Sequence, residues 1–326
     1  MNQLWHPTSA CGPDCLADDE PFPATGRIRG ACRLAGAAGV MLVAVLLLPV
    51  LPVFPAAHRA RLVRWCARNV LRTLGVRVSL HGHLPARRAT SGGGSAACGT
   101  LVVANHVSWL DIVVLMATER TRLVAKTEVG DWPVIGRIAR YAGTIFVDRS
   151  RPRALPAAVA EVRTALAAGE VVVVFPEGTT SCGRSIGRFR PAFFQAAVEA
   201  GAAVVPVTLR FRLAGIGPTS AAAFIGDDTL FASLRRILRL PGLTIGISCG
   251  AMIHPASGAT RRSLARVAAM AVGASGPAAD RDLRRAVPAA SRPVSVPVAV
   301  AAAPLPLWSE SAPDDSRTPV GLRNAA

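Results

Sequence analysis

Lysine is almost missing from this sequence. Lys126 is the single one among 37 basic residues, a bias of the kind that codon usage imposes. Aromatic residues are scarce at 5%, and 20 acids against those 37 bases leave a formal charge of +17. Such a surplus suits an acidic partner, either an anionic membrane or nucleic acid. The arginines are dispersed and no helix-turn-helix, zinc-finger or RNA-recognition signature accompanies them, so nucleic acid is not expected. The cysteines, Cys11, Cys15, Cys32, Cys66, Cys98, Cys182 and Cys249, repeat no spacing and suggest no Cys/His cluster. That pattern predicts neither a metal site nor a disulfide framework, and it fits a reducing cytoplasmic compartment. Cys182 reads as a small filler without chemistry. No internal repeat is evident, which excludes a solenoid.

A chain of 326 residues, 51% hydrophobic, holds one α/β domain of about 200–250 residues plus appendages. Leu34 to Ala57 carries no charge and is long enough to cross a hydrocarbon core that needs about 20 residues. Pro49, Pro52 and Pro55 crowd its second half, so a kinked or re-entrant anchor is the alternative. It starts too far from Met1 for a signal peptide. Arg27, Arg29 and Arg33 precede it, and Arg59, Arg61, Arg64, Arg68, Arg72 and Arg77 come after it. The charge asymmetry puts the domain that follows on the cytoplasmic face of the cell's inner (plasma) membrane. Residues 58–78 mix those arginines with Leu62, Val63, Trp65, Val70, Leu71 and Leu74, the pattern of a basic amphipathic helix. It reads either as a helix on the bilayer surface or as one packed on the domain.

The expected organisation is a disordered segment 1–26, an anchor and basic segment 27–85, a flexible Gly/Ser linker 86–99, a catalytic domain 100–274 and a disordered tail 275–326. Within the domain, Leu101–Ala104, Val171–Val174, Val204–Leu209 and Leu243–Cys249 read as strands. Leu155, Val159, Val162 and Leu166 make a helical stripe, and residues 191–200 and 229–240 read as helices. Alternation of this kind predicts an α/β fold, a mixed sheet flanked by helices.

Two strand ends carry the chemistry. Leu101–Ala104 runs into Asn105-His106-Val107-Ser108-Trp109-Leu110-Asp111, which sets an imidazole five residues ahead of a carboxylate. Asp111, one helical turn on, can fold back to hold one ring nitrogen and leave the other free for a proton. Val171–Val174 runs into Phe175-Pro176-Glu177-Gly178-Thr179-Thr180-Ser181, where Pro176 stops the strand and Gly178 allows close backbone approach. Ligands of open α/β sheets bind at that edge. Ser108 beside His106 could serve a hydrolase as nucleophile, but helix-start statistics favour it as a cap.

These segments resemble the glycerolipid acyltransferase family that includes 1-acylglycerol-3-phosphate acyltransferases. The family's motifs stand in order as Asn105–Asp111, Gly143-Thr144-Ile145-Phe146-Val147-Asp148-Arg149, Phe175–Ser181 and Val205-Pro206-Val207. The resemblance implies a membrane-associated enzyme of phospholipid biosynthesis that passes an acyl group from an acyl carrier protein or coenzyme A thioester to a lysolipid hydroxyl. It implies no cofactor and no metal. His106 would be the base and Asp111 its orienter. Asn105, Ser108, Lys126, Arg149, Glu177, Gly178, Thr179 and Thr180 would shape the substrate sites. Members with phosphate-bearing acceptors usually carry Arg where Thr180 stands. In this the chain, with Phe189–Phe194, is more similar to the branch that acylates lyso-ornithine lipid, unless Arg149, Arg184, Arg188 or Arg190 compensates. A catalytically inactive lipid-binding membrane protein is the remaining alternative.

Overall fold

Valine-rich runs bounded by glycine and proline build the centre of the molecule. The computed structural model describes residues 9, 11–16, 24–86 and 98–274. In chain order the elements are α1 Arg27–Leu47, α2 Ala56–Leu74, β1 Arg77–His81, β2 Thr100–Ala104, α3 Trp109–Thr118, β3 Arg122–Lys126, α4 Thr127–Gly130, α5 Ile135–Tyr141 and β4 Ile145–Val147. They continue with α6 Leu155–Ala167, β5 Val171–Val174, α7 Phe194–Ala200, β6 Ala203–Leu213, β7 Gly217–Pro218, α8 Leu230–Arg239, β8 Leu243–Cys249 and α9 Arg261–Ala274. The sheet order is β1-β8-β6-β2-β5-β3-β4, with β7 attached to β6. Strands β6, β2, β5, β3 and β4 are mutually parallel, whereas β8 runs antiparallel to β6. The sheet is therefore mixed, and helices cover it.

The period-2 rule of strands divides the core into two layers. Val102, Ala104, Val173, Val205 and Val207 face Leu110, Val114 and Leu115 of α3 together with Leu71 and Leu74 of α2. Leu101, Val103, Val172, Val174 and Val204 face Val162 and Leu166 of α6, Phe194 of α7, and Leu264, Ala268 and Val272 of α9. Both faces of β2 and β5 are covered, so their sequences read as unbroken apolar runs. Each valine buried this way contributes about 1.5–3 kcal/mol.

The apolar run Leu34–Ala57 is not one helix. α1 ends at Leu47, Leu51–Val53 form a short 3-10 turn, and α2 starts at Ala56. Pro49 has no amide to continue the ladder, so the chain folds there into a helical hairpin. A Cβ on Gly36 of α1 would lie 2.9 Å from Thr73 Cγ2 of α2, so the middle of α1 meets the end of α2. α1 is long and apolar enough to cross a membrane, and little of its apolar surface is buried. Leu42, Leu46, Val53 and Phe54, along the arm and at the hairpin's tip, are exposed.

Arg33 changes how that hairpin is held. Its Nη1 donates to the carbonyls of Leu238, in the last turn of α8, and Leu240, its C-cap, at 3.0 and 2.9 Å. A cation there satisfies orphan carbonyls and opposes the helix dipole. Beside it, the Thr25 amide donates to the Arg239 carbonyl at 3.0 Å.

α2 buries Val63, Ala67, Leu71 and Leu74 and packs on α1 and α3. It stops at Gly75, whose φ of 74° makes a left-handed cap. The basic segment is thus a domain-packed helix, and Arg77 and Val78, expected to end it, begin β1 instead. β1 pairs with β8, so the expected anchor region 27–85 contributes a strand to the catalytic sheet. Helix α7 starts at Phe194, later than the periodicity suggests, because the turn after Pro191 is of the tighter i→i+3 kind. Phe231 of α8 is 74% exposed. Of the segment 1–26 expected to be disordered, Pro13–Cys15 form a 3-10 turn; residues 87–97 of the expected linker and the expected tail from 275 onward lie outside the described residues.

Candidate active site

Because β2, β5, β3 and β4 are parallel, the segments after them leave one edge of the sheet. His106 follows β2, Glu177 and Thr180 follow β5, Lys126 ends β3, and Arg149 follows β4.

The His106–Asp111 spacing follows from how α3 begins. Ser108 is the N-cap and its hydroxyl accepts from the Leu110 amide, while Asp111 at the third helical position reaches back to the Ser108 amide at 2.8 Å. This is a capping box with Asp in place of the usual Glu. The same oxygen, Oδ2, accepts from the Val107 amide at 2.6 Å and lies 2.9 Å from His106 Nδ1. A carboxylate already turned back to cap the helix therefore meets a side chain two residues ahead of the cap. Asp111 is fully buried and His106 is 17% exposed. With Nδ1 held, Nε2 is the nitrogen left for a proton acceptor's work. Phe175 stacks on the imidazole, with centroids 4.1 Å apart and planes 17° apart, which fixes the ring's tilt.

Glu177 ties the two strand-end loops together. Its Oε1 accepts from the His106 amide and its Oε2 from the Gly187 amide, each at 3.0 Å. A Cβ at position 187 would come within 2.6 Å of Oε2, so a side chain there would push the Glu177 carboxylate aside. The Ser181 amide donates to the His106 carbonyl at 2.8 Å, a second strut. Burial pushes the Glu177 carboxyl above its ordinary value of 4.5; the amides of His106 and Gly187 and the charge of His106 oppose this, and Asp111 adds to it.

A pH effect results. The folded protein holds the Glu177 proton more tightly than the unfolded chain does, so stability falls as pH rises from about 4.5 through the raised folded value. Glu177→Gln removes that titration. The urea midpoint of the parent protein is expected to decline relative to that of Glu177→Gln across this window and to run parallel above it. A constant difference at every pH would refute the assignment.

Arg149 is half-buried and donates from Nη1 to the Gly178 carbonyl. Burial and the neighbouring Arg190 hold the guanidinium below its ordinary value, and Glu128 opposes them. Gly178 adopts a φ of 77°, which presents that carbonyl to Arg149. Thr179 lies between Gly178 and Thr180, half-buried.

Three residues expected to bind substrate make side-chain hydrogen bonds within the protein. Asn105, 2% exposed, clamps β6 by donating to the Leu209 carbonyl at 3.0 Å and accepting from the Leu209 amide at 2.7 Å. Ser108 is fully buried at its cap. The Thr180 hydroxyl donates to the Phe224 carbonyl, and the Phe224 amide in turn donates to the Val107 carbonyl at 2.9 Å. Lys126 shares the edge and is exposed, but it makes none of the hydrogen bonds that join these loops. The contributions of Gly187 and Phe224 had no sequence signal, because both arise from loops distant in the chain. Phe175 stood inside a recognised motif, where only geometry shows that it carries the imidazole.

An imidazole held by a buried carboxylate at the open edge of a largely parallel sheet is a general base with its orienting partner, the pair that an enzyme of acyl transfer requires. Residues 76–210 match the family model described as Acyltransferase. The chain is 37% identical over 232 residues to a lyso-ornithine lipid O-acyltransferase of Pseudomonas aeruginosa, covering 70% of this chain and 84% of that one. It is 34% identical over 220 residues to the lyso-ornithine lipid O-acyltransferase of Brucella abortus, covering 64% and 79%. To a 1-acyl-sn-glycerol-3-phosphate acyltransferase of Neisseria gonorrhoeae it is 39% identical over 149 residues, covering 46% and 58%. The crystal structure of the 1-acyl-sn-glycerophosphate acyltransferase of Thermotoga maritima shares the fold, with a TM-score of 0.50 and 19% identity over 80% of this chain and all of that one. The chain belongs to the acyltransferase family.

Proposed function

We propose that the protein moves a fatty acyl group from a thioester, on acyl carrier protein or coenzyme A, to the free hydroxyl of a lysolipid. His106 Nε2 takes the hydroxyl proton as the oxygen attacks the thioester carbonyl, and Asp111 stabilises the imidazolium that forms. The thiol leaves with that proton, the ester bond replaces the thioester, and no acyl-enzyme is needed. The observation that carries this is the 2.9 Å contact between His106 Nδ1 and Asp111 Oδ2 at the sheet edge.

For the acceptor, lyso-ornithine lipid is the better reading. Lysophosphatidate carries a phosphate that suits paired guanidinium forks. Thr180 supplies no charge and spends its hydroxyl on Phe224. One half-buried guanidinium, Arg149, suits the single carboxylate of an ornithine headgroup. Arg190, which lies close enough to influence Arg149, favours lysophosphatidate as the second reading. Membranes containing the protein, given labelled donor and each acceptor, test this. Acylation of lyso-ornithine lipid is expected, and Thr180→Arg should raise the ratio of lysophosphatidate to lyso-ornithine lipid acylated by about tenfold. Transfer by the parent protein to lysophosphatidate alone would select the second reading.

The helical hairpin is the proposed membrane contact. Arg33 fastens the first part of α1 to the catalytic domain, leaving Leu34–Leu47 to enter lipid, roughly 21 Å of helix against the ~30 Å of a hydrocarbon core. A re-entrant hairpin in the cytoplasmic leaflet of the inner membrane fits that length better than a spanning helix.

A further inference from the structure

Cys11 and Cys15 flank a 3-10 turn near the start of the chain, and Cys182 directly follows the Phe175–Ser181 loop. The fold brings these three sulfurs within 4.8 Å of one another, although their scatter along the sequence predicts no cluster. The packing is built from several sides. The Cys182 amide donates to Cys11 Sγ at 3.2 Å, and the Ser220 hydroxyl donates to the Cys15 carbonyl at 2.6 Å. Cys11, Cys15 and Leu16 rest on the same core as Val107 and Phe175. Cys182 is buried, the other two are half-buried, and all three thiols are free.

We propose that Cys11, Cys15 and Cys182 form a thiolate site for a divalent ion of the zinc class, which clasps the N-terminal segment to the loop that follows Glu177. Thiolates are the donors that select such ions, and a Cys-x3-Cys pair with one remote cysteine is a common way to supply them. Zn–S bonds of about 2.3 Å place tetrahedral sulfurs about 3.8 Å apart, so the sulfurs need close in by at most about 1 Å, within reach of small side-chain rotations. One ion displaces three thiol protons and forms a unit of net charge −1, leaving a fourth position for water. The clasp lies one residue from Ser181, whose amide holds the His106 carbonyl, so the bound ion would steady the loop without touching the reacting atoms.

The test uses the full-length, untagged protein, reduced, in detergent. Titration with Cd2+ is expected to produce a thiolate-to-metal charge-transfer band that saturates at one ion per chain and is competed away by Zn2+. Cd2+ should protect Cys11, Cys15 and Cys182 from maleimide in peptide mapping, while exposed Cys32 labels at an unchanged rate. Cys15→Ser should weaken Cd2+ binding at least about tenfold, and Cys32→Ser should leave it unchanged. Cys15→Ser keeps the test decisive if Cys182→Ser, altered at a buried position, fails to fold. Absence of the band, binding indifferent to Cys15→Ser, or a Cys11–Cys182 disulfide whose reduction restores no metal uptake would overturn the proposal.

Discussion

Replacing His106 with alanine is expected to lower the turnover of acyl transfer at least about a thousandfold, with little change in acceptor affinity or stability. General-base catalysis contributes about 10²–10⁴ in rate, and no second base is placed to substitute. Among the described residues, the carboxylates near the imidazole are Asp111 and Glu177, and both are buried and already committed to backbone amides. The fold should survive because the ring is partly exposed and the two struts that fix this loop use the main chain of His106, not its side chain. Its amide donates to Glu177 and its carbonyl accepts from Ser181. The measurement is initial rate against acceptor concentration, with thermal unfolding as the control. Retention of more than a tenth of the parent turnover by a folded variant would remove His106 from the role of base.

How much of the molecule is legible in its sequence depends on distance along the chain. His106 and Asp111 lie five residues apart, and the capping box that joins them is written in Ser108 and Asp111, so the pair is visible. The β2 and β5 cores are visible because strands covered on both faces need unbroken apolar runs, and Leu101–Ala104 and Val171–Val174 supply them. β1 is hidden. As an edge strand it exposes Val78 and Leu80, and it follows a basic helical pattern without a pause other than Gly75. Arg33 is hidden for a different reason. Its partners are backbone carbonyls at the end of α8, more than 200 residues away, and carbonyls leave no mark in a sequence. It reads as one more positive charge beside an apolar run, whereas its geometry decides how much of α1 is free for lipid. Thr180 stands out for the charge it lacks, and the structure adds what its hydroxyl does. The three cysteines fall under the same limit, since spacing rules see Cys11 and Cys15 but not a partner 171 positions from Cys11.

Asp111 separates orientation from charge, and two substitutions there should behave differently. In Asp111→Asn the amide oxygen can take the place of Oδ2 and keep the bonds from His106 Nδ1, Val107 and Ser108. The new NH2 then occupies the position of Oδ1, which is buried and without a hydrogen-bond partner among the described residues. An unsatisfied buried donor costs about 1–3 kcal/mol, partly offset because a charge no longer has to be buried. Asp111→Asn is therefore expected to stay folded within about 2 kcal/mol of the parent. Its turnover should nevertheless fall about 10²–10⁴-fold, since the imidazolium formed during attack loses its counter-charge. Asp111→Ala removes all three acceptances at once and leaves only the Ser108 half of the α3 capping box, with an expected stability loss of about 3–5 kcal/mol. Denaturant unfolding in micelles and turnover on the folded fraction distinguish the two. If Asp111→Asn is as active as the parent, the carboxylate serves only to start the helix and aim the ring. If it unfolds like Asp111→Ala, the three backbone and ring contacts need the charge itself, and the capping box cannot be separated from the chemistry it positions.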